Sequence, residues 1–194
     1  MYYELEVRSH VRVPPSKFKD DTKESILKSL NEKFEAYISK EVGAVIAVTE
    51  ILEIGDGVII PGDGAAYYDT RFKILTFKPE MLEILLGKVN EITEFGAFIS
   101  LGALDGMVHV SQTMDDFVSY SKSNTLTGKE SKRVLKVGDK CRARITAISY
   151  KEVSNPKIGL TMRQPGLGSI IWIDEDAKKH LKEEIVEKAS KKEK

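Results

Sequence analysis

The spacing of apolar residues changes period several times along this chain, and each change predicts an element. Tyr3, Leu5, Val7, Val11 and Val13 follow the two-residue period of a strand. Pro14-Pro15 ends it, since proline cannot donate to a sheet ladder. Ile26, Leu27, Leu30, Phe34, Tyr37 and Ile38 then recur at three- and four-residue steps, one apolar face of a helix for which Asp20 or Asp21 supplies the N-cap. Val42 to Leu52 reads as a nearly continuous apolar strand, Gly55-Asp56-Gly57 as a turn, Val58 to Ile60 as another strand and Phe72 to Phe77 as a last one. A helix with one apolar face beside several strands predicts an α/β sandwich, the helix covering one face of the sheet.

From Gly87 to Ser111 the period is again two, but the phase that should be polar carries large apolar side chains. Ala97, Ile99 and Leu101 share one face, so Phe98 points to the other beside Ser100. After the Gly102 to Gly106 turn, Val108 and Val110 continue the apolar face, while Met107 and His109 fall opposite it with Phe98, and Phe95 joins them from the bend before Gly96. Every base offers a π-face, so an exposed aromatic platform with an imidazole suits single-stranded nucleic acid without sequence readout. The alternation is equally met if Phe95 and Phe98 pack under a loop or against another part of the chain. Further on, Cys141, Ala143, Ile145 and Ala147 alternate with Arg142, Arg144 and Thr146, and Ile158, Leu160 and Met162 with Lys157, Gly159, Thr161 and Arg163. Arg142, Arg144, Lys157 and Arg163 thus face solvent. Lys129 to Arg163 holds ten Lys/Arg against three Asp/Glu, an excess that attracts phosphate in a salt-dependent way.

The spelling of this half resembles the RNA-binding domain of the ribosomal protein S-one family. The resemblance runs through Gly87-x-Val89, Phe95-Gly96-Ala97-Phe98, Asp105-Gly106, Val108-His109-Val110-Ser111, Val137-Gly138-Asp139 and Leu160-Thr161-Met162-Arg163. It implies a five-stranded antiparallel OB-type β-barrel on which Phe95, Phe98 and His109 face RNA. Two further polar positions of that family, an aspartate and an arginine, are here Ser149 and Lys157, which weakens the implied clamp. In the first half, Gly43-Ala-Val-Ile-Ala-Val-Thr-Glu-Ile51, Ile54-Gly-Asp-Gly-Val-Ile-Ile-Pro-Gly-Asp-Gly64, Phe77-Lys-Pro79 and Val13-Pro14 resemble the E-prime family of archaeal RNA polymerase subunits, counterparts of the seventh subunit of eukaryotic RNA polymerase II. This second resemblance covers nearly the whole chain, to about Arg163. It implies an α+β protein whose residues 1–80 form a ribonucleoprotein-like tip domain on the polymerase core, and whose residues 81–166 form the outer barrel of a stalk. A smaller polypeptide of the polymerase, called F, completes that stalk as the other half of a heterodimer. Ile60, Pro61, Gly62, Asp63 and Gly64 fall in the tip and become candidates for docking by shape complementarity.

Between the third and fourth barrel strands, residues 112–136 form a long polar passage. Met114, Phe117, Val118 and Tyr120 read as a short helical turn packed on the barrel and Ser121 to Thr127 as a loop, with Lys122, Lys129, Lys132 and Arg133 as its charges. In residues 167–194, Pro165-Gly166-Leu167-Gly168 precedes a strand at Ile170 to Ile173, and Asp174 or Asp176 opens a charged helix with Ala177, Leu181, Ile185 and Ala189 in a narrow stripe.

Composition narrows the function. At 194 residues, 41% apolar and 31% charged, the chain has room for two small domains with their own cores. A net charge of zero hides unlike segments, with 11 basic and 14 acidic residues in 1–80, 12 and 9 in 81–166, and 7 and 7 beyond. One cysteine, Cys141, excludes an internal disulfide and a thiolate zinc cluster. Met1-Tyr2-Tyr3-Glu4 lacks a signal-peptide pattern and no apolar run reaches a membrane span, which leaves the cytoplasm as the expected compartment. Gly55-x-Gly57 and Gly62-x-Gly64 are followed by neither a helix nor Gly-Lys-Ser/Thr, so they are read as turns of positive φ, not phosphate loops. No acid, base and nucleophile stand in a recognisable catalytic arrangement. The expectation is a cofactor-free, metal-free, non-catalytic RNA polymerase subunit that binds single-stranded nascent RNA and supports promoter opening, processivity and termination. A free-standing RNA-binding protein of translation or RNA decay, and a structural spacer without RNA contact, are the alternatives.

Overall fold

The computed structural model describes residues 1–121 and 124–179. It divides into two compact units, Met1–Pro79 with Tyr150–Asn155, and Glu80–Ser149 with the residues from Pro156 onward. The first contains β1 (Tyr2–Val13), α1 (Thr22–Phe34), β2 (Ile38–Ser39), β3 (Gly43–Ile59) and β4 (Ala66–Phe77). Its strands form one antiparallel sheet in the order β1-β4-β3-β2. Asp21 caps α1 by accepting the Lys23 N–H, and Ile26 and Leu30 are wholly buried against Val11, Val13, Ile51, Phe72 and Ile74. The helical face is narrower than the sequence pattern implied. Leu27 is 37% exposed, and α1 ends at Phe34 because the chain turns at Ala36 (φ 56°) so that the Tyr37 carbonyl can accept the Val45 N–H. Tyr37 and Ile38 therefore lie beyond the helix, Ile38 in β2.

The two strands expected around Gly55-Asp56-Gly57 are a single strand, β3. Its sixteen residues from Ala44 to Ile59 run alongside the twelve of β4 in eleven register pairs, and the surplus leaves as four β-bulges, the last between Ile54 and Gly57. Each bulge shifts the side-chain alternation by one residue, so Val45, Val48, Ile51 and Ile54 reach the core at a spacing of three. Gly55 and Gly57 are not turn residues of positive φ. A Cβ on Gly55 would stand 3.0 Å from the Asp69 carbonyl oxygen and one on Gly57 2.6 Å from the Tyr68 ring, so they permit close strand approach. The turn comes later, where Gly62 (φ 98°) and Gly64 (φ 69°) lead β3 into β4.

The sheet face away from α1 is laced by ion pairs. Arg71 joins Glu6 and Glu53, Lys73 joins Glu4 and Glu50, and Arg8 joins Asp69. Arg8 stands directly opposite Arg71 in the register, and the diagonal carboxylates separate the like charges. At the β3–β4 turn Asp63 accepts Arg12 through both oxygens, at 2.6 and 2.9 Å, and the Tyr67 hydroxyl at 2.6 Å. These donors hold the Asp63 carboxyl well below the usual carboxylate range, Arg12 contributing most.

The second unit contains β5 (Ile84–Thr93), β6 (Gly96–Ser100), β7 (Asp105–His109), β8 (Val118–Ser121), β9 (Thr125–Gly128), β10 (Val134–Lys136), β11 (Lys140–Ser149), β12 (Lys157–Thr161), β13 (Gly168–Ser169) and a helix, α2, described over residues 170–179. The order β12-β7-β6-β5-β11, with β11 also pairing β12, closes a five-stranded barrel whose one parallel contact is β7 with β12. Val89, Ala97, Ile99, Val108, Cys141, Ala143, Ile145 and Leu160 fill the interior. Burial, helped by Asp139, pushes the Cys141 thiol up to about 12, so it packs as an inert side chain. Two alternation readings fail. A bulge between Ile145 and Ala147 turns Ala147 outward, and Thr161 is buried because its hydroxyl donates to Gln112 at 2.9 Å.

The expected helical turn and loop in 112–136 are instead a three-stranded antiparallel sheet, β10-β9-β8. Leu126 and Leu135 are fully buried and Met114 nearly so, while Phe117 is 75% exposed. The Asp116 carboxylate ties β8 to the β9–β10 turn by accepting the Glu130 and Ser131 N–H groups and the Ser131 hydroxyl at 2.9–3.0 Å. Lys122 lies outside the described residues. The strand expected at Ile170 to Ile173 is the first turn of α2, and pairing is confined to Gly168–Ser169. A short apolar run fits strand or buried helix equally, and Trp172 decides it by folding back to within 2.9 Å of where a Gly168 Cβ would stand. Ala177 belongs to α2, whereas Leu181, Ile185 and Ala189 lie outside the described residues.

Leu30→Ala should cost about 2–5 kcal/mol of stability in denaturant titration and Leu27→Ala about 1 kcal/mol, a contrast the helical pattern alone does not give. The Asp63 anchor follows its lowered folded-state pKa. Its contribution is complete above the unfolded value near ~4 and disappears only as pH falls through the still lower folded value. Hydrogen exchange of residues 60–65 should accordingly stay slow at mildly acidic pH, and Asp63→Asn should speed it at neutral pH.

Candidate nucleic-acid interface

Phe95, Phe98 and His109 converge because β6 lies between β5 and β7. The register sets Phe98 opposite Met107 and Gly96 opposite His109, and the Phe95 carbonyl accepts the Val110 N–H at 2.8 Å, fixing the bend beside His109. Phe95 is 63% exposed, Phe98 is 36% exposed, Met107 half-buried and His109 exposed. Only glycine fits at 96. Its φ is 151° and a Cβ there would stand 2.0 Å from the Val108 carbonyl oxygen, so this close crossing aims Phe95 outward. His109 Nδ1 accepts the Ser111 N–H at 3.3 Å, which leaves the proton of the neutral ring on Nε2 as an outward donor.

The platform extends further than the sequence indicated. Across the outer wall the register runs Glu91, Phe98, Met107, Gly159, Ala147. Gly159 has no side chain and Ala147 is exposed only because of the bulge beside it, so the ground next to Met107 is low and apolar. The sequence missed this pair because regular alternation puts Ala147 inside.

The four basic candidates do not gather as one cluster. Arg163 is held by Asp115 at 2.8–2.9 Å, and Arg142 donates to the Gly166 carbonyl at 3.2 Å. Arg144 stands between Ile84 and Thr161 in the register, its Nε buried without a hydrogen-bond partner among the described residues. Lys157 is exposed at the start of β12, opposite Ser149. Of the insertion charges, Arg133 is turned away, ion-paired with Asp176 and lying 5.8 Å over the Trp172 ring. An open pocket of about 470 Å³ lies beside Arg163, lined by Val110, Ser111, Asp115, Asp116, Phe117, Val118 and Glu130. Among the described residues no three His, Cys, Asp or Glu side chains form a metal-holding group. The docking candidates Ile60 to Gly64 occupy the other unit, where Val58, Ile59 and Ile60 present consecutive exposed aliphatic side chains and Asp63 is engaged in its anchor.

Comparison with known proteins finds two family models in succession along the chain. Residues 8–64 match the SHS2 domain found in the N terminus of Rpb7p/Rpc25p/MJ0397, and residues 78–154 match the S1 RNA binding domain. DNA-directed RNA polymerase subunit Rpo7 of Saccharolobus solfataricus is 36% identical over 180 residues, spanning 92% of this chain and 100% of that protein. The Rpo7 of Sulfolobus acidocaldarius is 33% identical over 183 residues, spanning 94% and 100%. DNA-directed RNA polymerase III subunit RPC8 of Saccharomyces cerevisiae is 32% identical over 114 residues, 59% of this chain and 54% of that one. With both halves matched in order and archaeal relatives covered from end to end, the chain belongs to the Rpo7 family of DNA-directed RNA polymerase subunits.

Proposed function

We propose that this chain is a non-catalytic stalk component, anchored on the polymerase core through residues 1–80 and paired with the smaller F polypeptide, whose barrel binds emerging single-stranded RNA. The observation that carries the RNA-binding part is the exposed set Phe95, Phe98 and His109 on an S1-type barrel, where burial would be expected of phenylalanines serving only the fold. Phe95 and Phe98 stack bases, His109 donates from Nε2, and Arg142, Arg144, Lys157 and Arg163 attract phosphate, Arg163 after exchange of its Asp115 partner. Nucleotidyl transfer belongs to the core. The aliphatic run Val58–Ile60, continued by Pro61 and Gly62, supplies the docking surface, with Asp63 and Gly64 shaping its turn. Through this anchor the chain biases the clamp toward closure over DNA and so aids promoter opening, processivity and termination.

A structural-spacer reading has its own support in Ser149, Lys157 and the ion-paired Arg163. RNA affinity separates the two. Phe98→Ala should weaken single-stranded RNA binding by about 1–3 kcal/mol with little change in salt slope. Lys157→Gln should lower the slope of log affinity against log salt by about 0.7, and Arg163→Gln by less, because Asp115 already neutralises it. Unchanged affinity in a folded Phe95→Ala, Phe98→Ala, His109→Ala variant selects the spacer.

Docking has a separate test. Ile59→Asp with Ile60→Asp in the full chain should reduce retention on the polymerase core about tenfold or more, with RNA binding intact. Full retention by the variant would remove this surface from the interface.

A further inference from the structure

Beside the stacking platform stands a group that has no part in stacking or phosphate attraction. Glu91 is exposed on β5, directly opposite Phe98 in the register and on the same outer face. Opposed residues in such a pair have Cβ atoms about 4.5–5.5 Å apart, so a base stacked on Phe98 presents its edge to this carboxylate. No described side chain hydrogen-bonds or ion-pairs with it. Beyond Phe98 the row continues over Met107, the bare Gly159 and Ala147, toward the strands that carry Arg144 and Lys157. The platform therefore carries opposite charge at its two ends, acidic at β5 and basic at β11 and β12.

We infer that Glu91 reads the base stacked on Phe98, selecting bases that present N–H donors and directing the phosphates to the opposite end of the row. The inference rests on the RNA-binding reading given above and specifies its preferred base. An ionised carboxylate only accepts hydrogen bonds. Guanine offers it two adjacent donors, N1–H and N2–H, in the bidentate geometry a carboxylate accepts best. Adenine and cytosine each offer one amino group. Uracil offers a single N3–H flanked by two carbonyl oxygens, which the carboxylate repels. Repulsion between the carboxylate and phosphate fixes the direction in which the backbone lies, so the base edge rather than the backbone meets Glu91. The order of preference is guanine, then adenine and cytosine, then uracil.

The test measures binding of the full chain to two ten-nucleotide RNAs, U10 and (UG)5, by fluorescence anisotropy at fixed salt, for wild type, Glu91→Gln and Phe98→Ala. Wild type should bind (UG)5 about tenfold more tightly than U10, the worth of a hydrogen bond to a charged group. Glu91→Gln should bring the ratio near one, chiefly by weakening (UG)5. If Glu91 were a solvated charge acting only on phosphate, its removal would strengthen both RNAs equally and leave the ratio unchanged. That result, or a wild-type ratio of one, overturns the inference while Phe98→Ala still weakens both RNAs. A Phe98→Ala that binds both as tightly as wild type overturns the RNA-binding platform itself.

Discussion

The pairing of β11 with β12 holds the second unit together, because a sheet becomes a barrel only when its last strand meets its first. Here β12 serves two partners at once, parallel to β7 and antiparallel to β11. Closure bends β11, and the bend is taken up by the bulge between Ile145 and Ala147. Inside the bulge, Cys141, Ala143 and Ile145 keep the core register. Beyond it, Ala147 faces out beside Gly159. The interaction that seals the core thus also levels the outer wall beyond Met107, so the row that starts at Phe98 and Met107 runs onto low ground at Gly159 and Ala147.

Ion pairing is denser on the sheet of the first unit than on the outer wall of the barrel. On the first, Arg8, Arg12, Arg71 and Lys73 all meet carboxylates across or at the end of the sheet, so these four cations are neutralised locally. These are exposed pairs, and salt screens them. Their effect is on strand register and like-charge relief more than on stability. On the barrel, Lys157 stands without such a partner among the described residues. A net charge of zero therefore hides unlike charge environments on the two units.

Much of this was legible in the sequence, for identifiable reasons. The outward placement of Phe98, Met107 and His109 followed from alternation because β6 and β7 pair without a bulge. An N-cap at Asp20 or Asp21, of which the structure uses Asp21, and the end of β1 before Pro14 followed from local chemistry that tertiary contacts do not override. What stayed hidden were departures from regular period: the bulged β3 read as two strands, Ala147 read as buried, and the insertion read as a loop although Leu126 and Leu135 are its core. A bulge leaves no fixed residue signature, and two buried leucines in a polar passage are too sparse to mark a sheet. Long-range partners were equally invisible. Asp115 lies 48 residues from Arg163 and Asp63 lies 51 from Arg12, and nothing in the order of residues pairs them.

The four bulges of β3 also bear on how the molecule meets copies of itself. On the edge away from β4, β2 pairs only with Gly43 and Ala44, and no further strand follows it among the described residues. A long open edge invites another chain to add on. In a regular strand a slip of two residues restores every side chain to its proper face, which makes wrong pairings nearly as good as right ones. With bulges at three-residue intervals no such slip is neutral. A straight incoming strand falls out of phase after two residues, so the irregularity that wraps the sheet around α1 also makes its edge a poor template for aggregation.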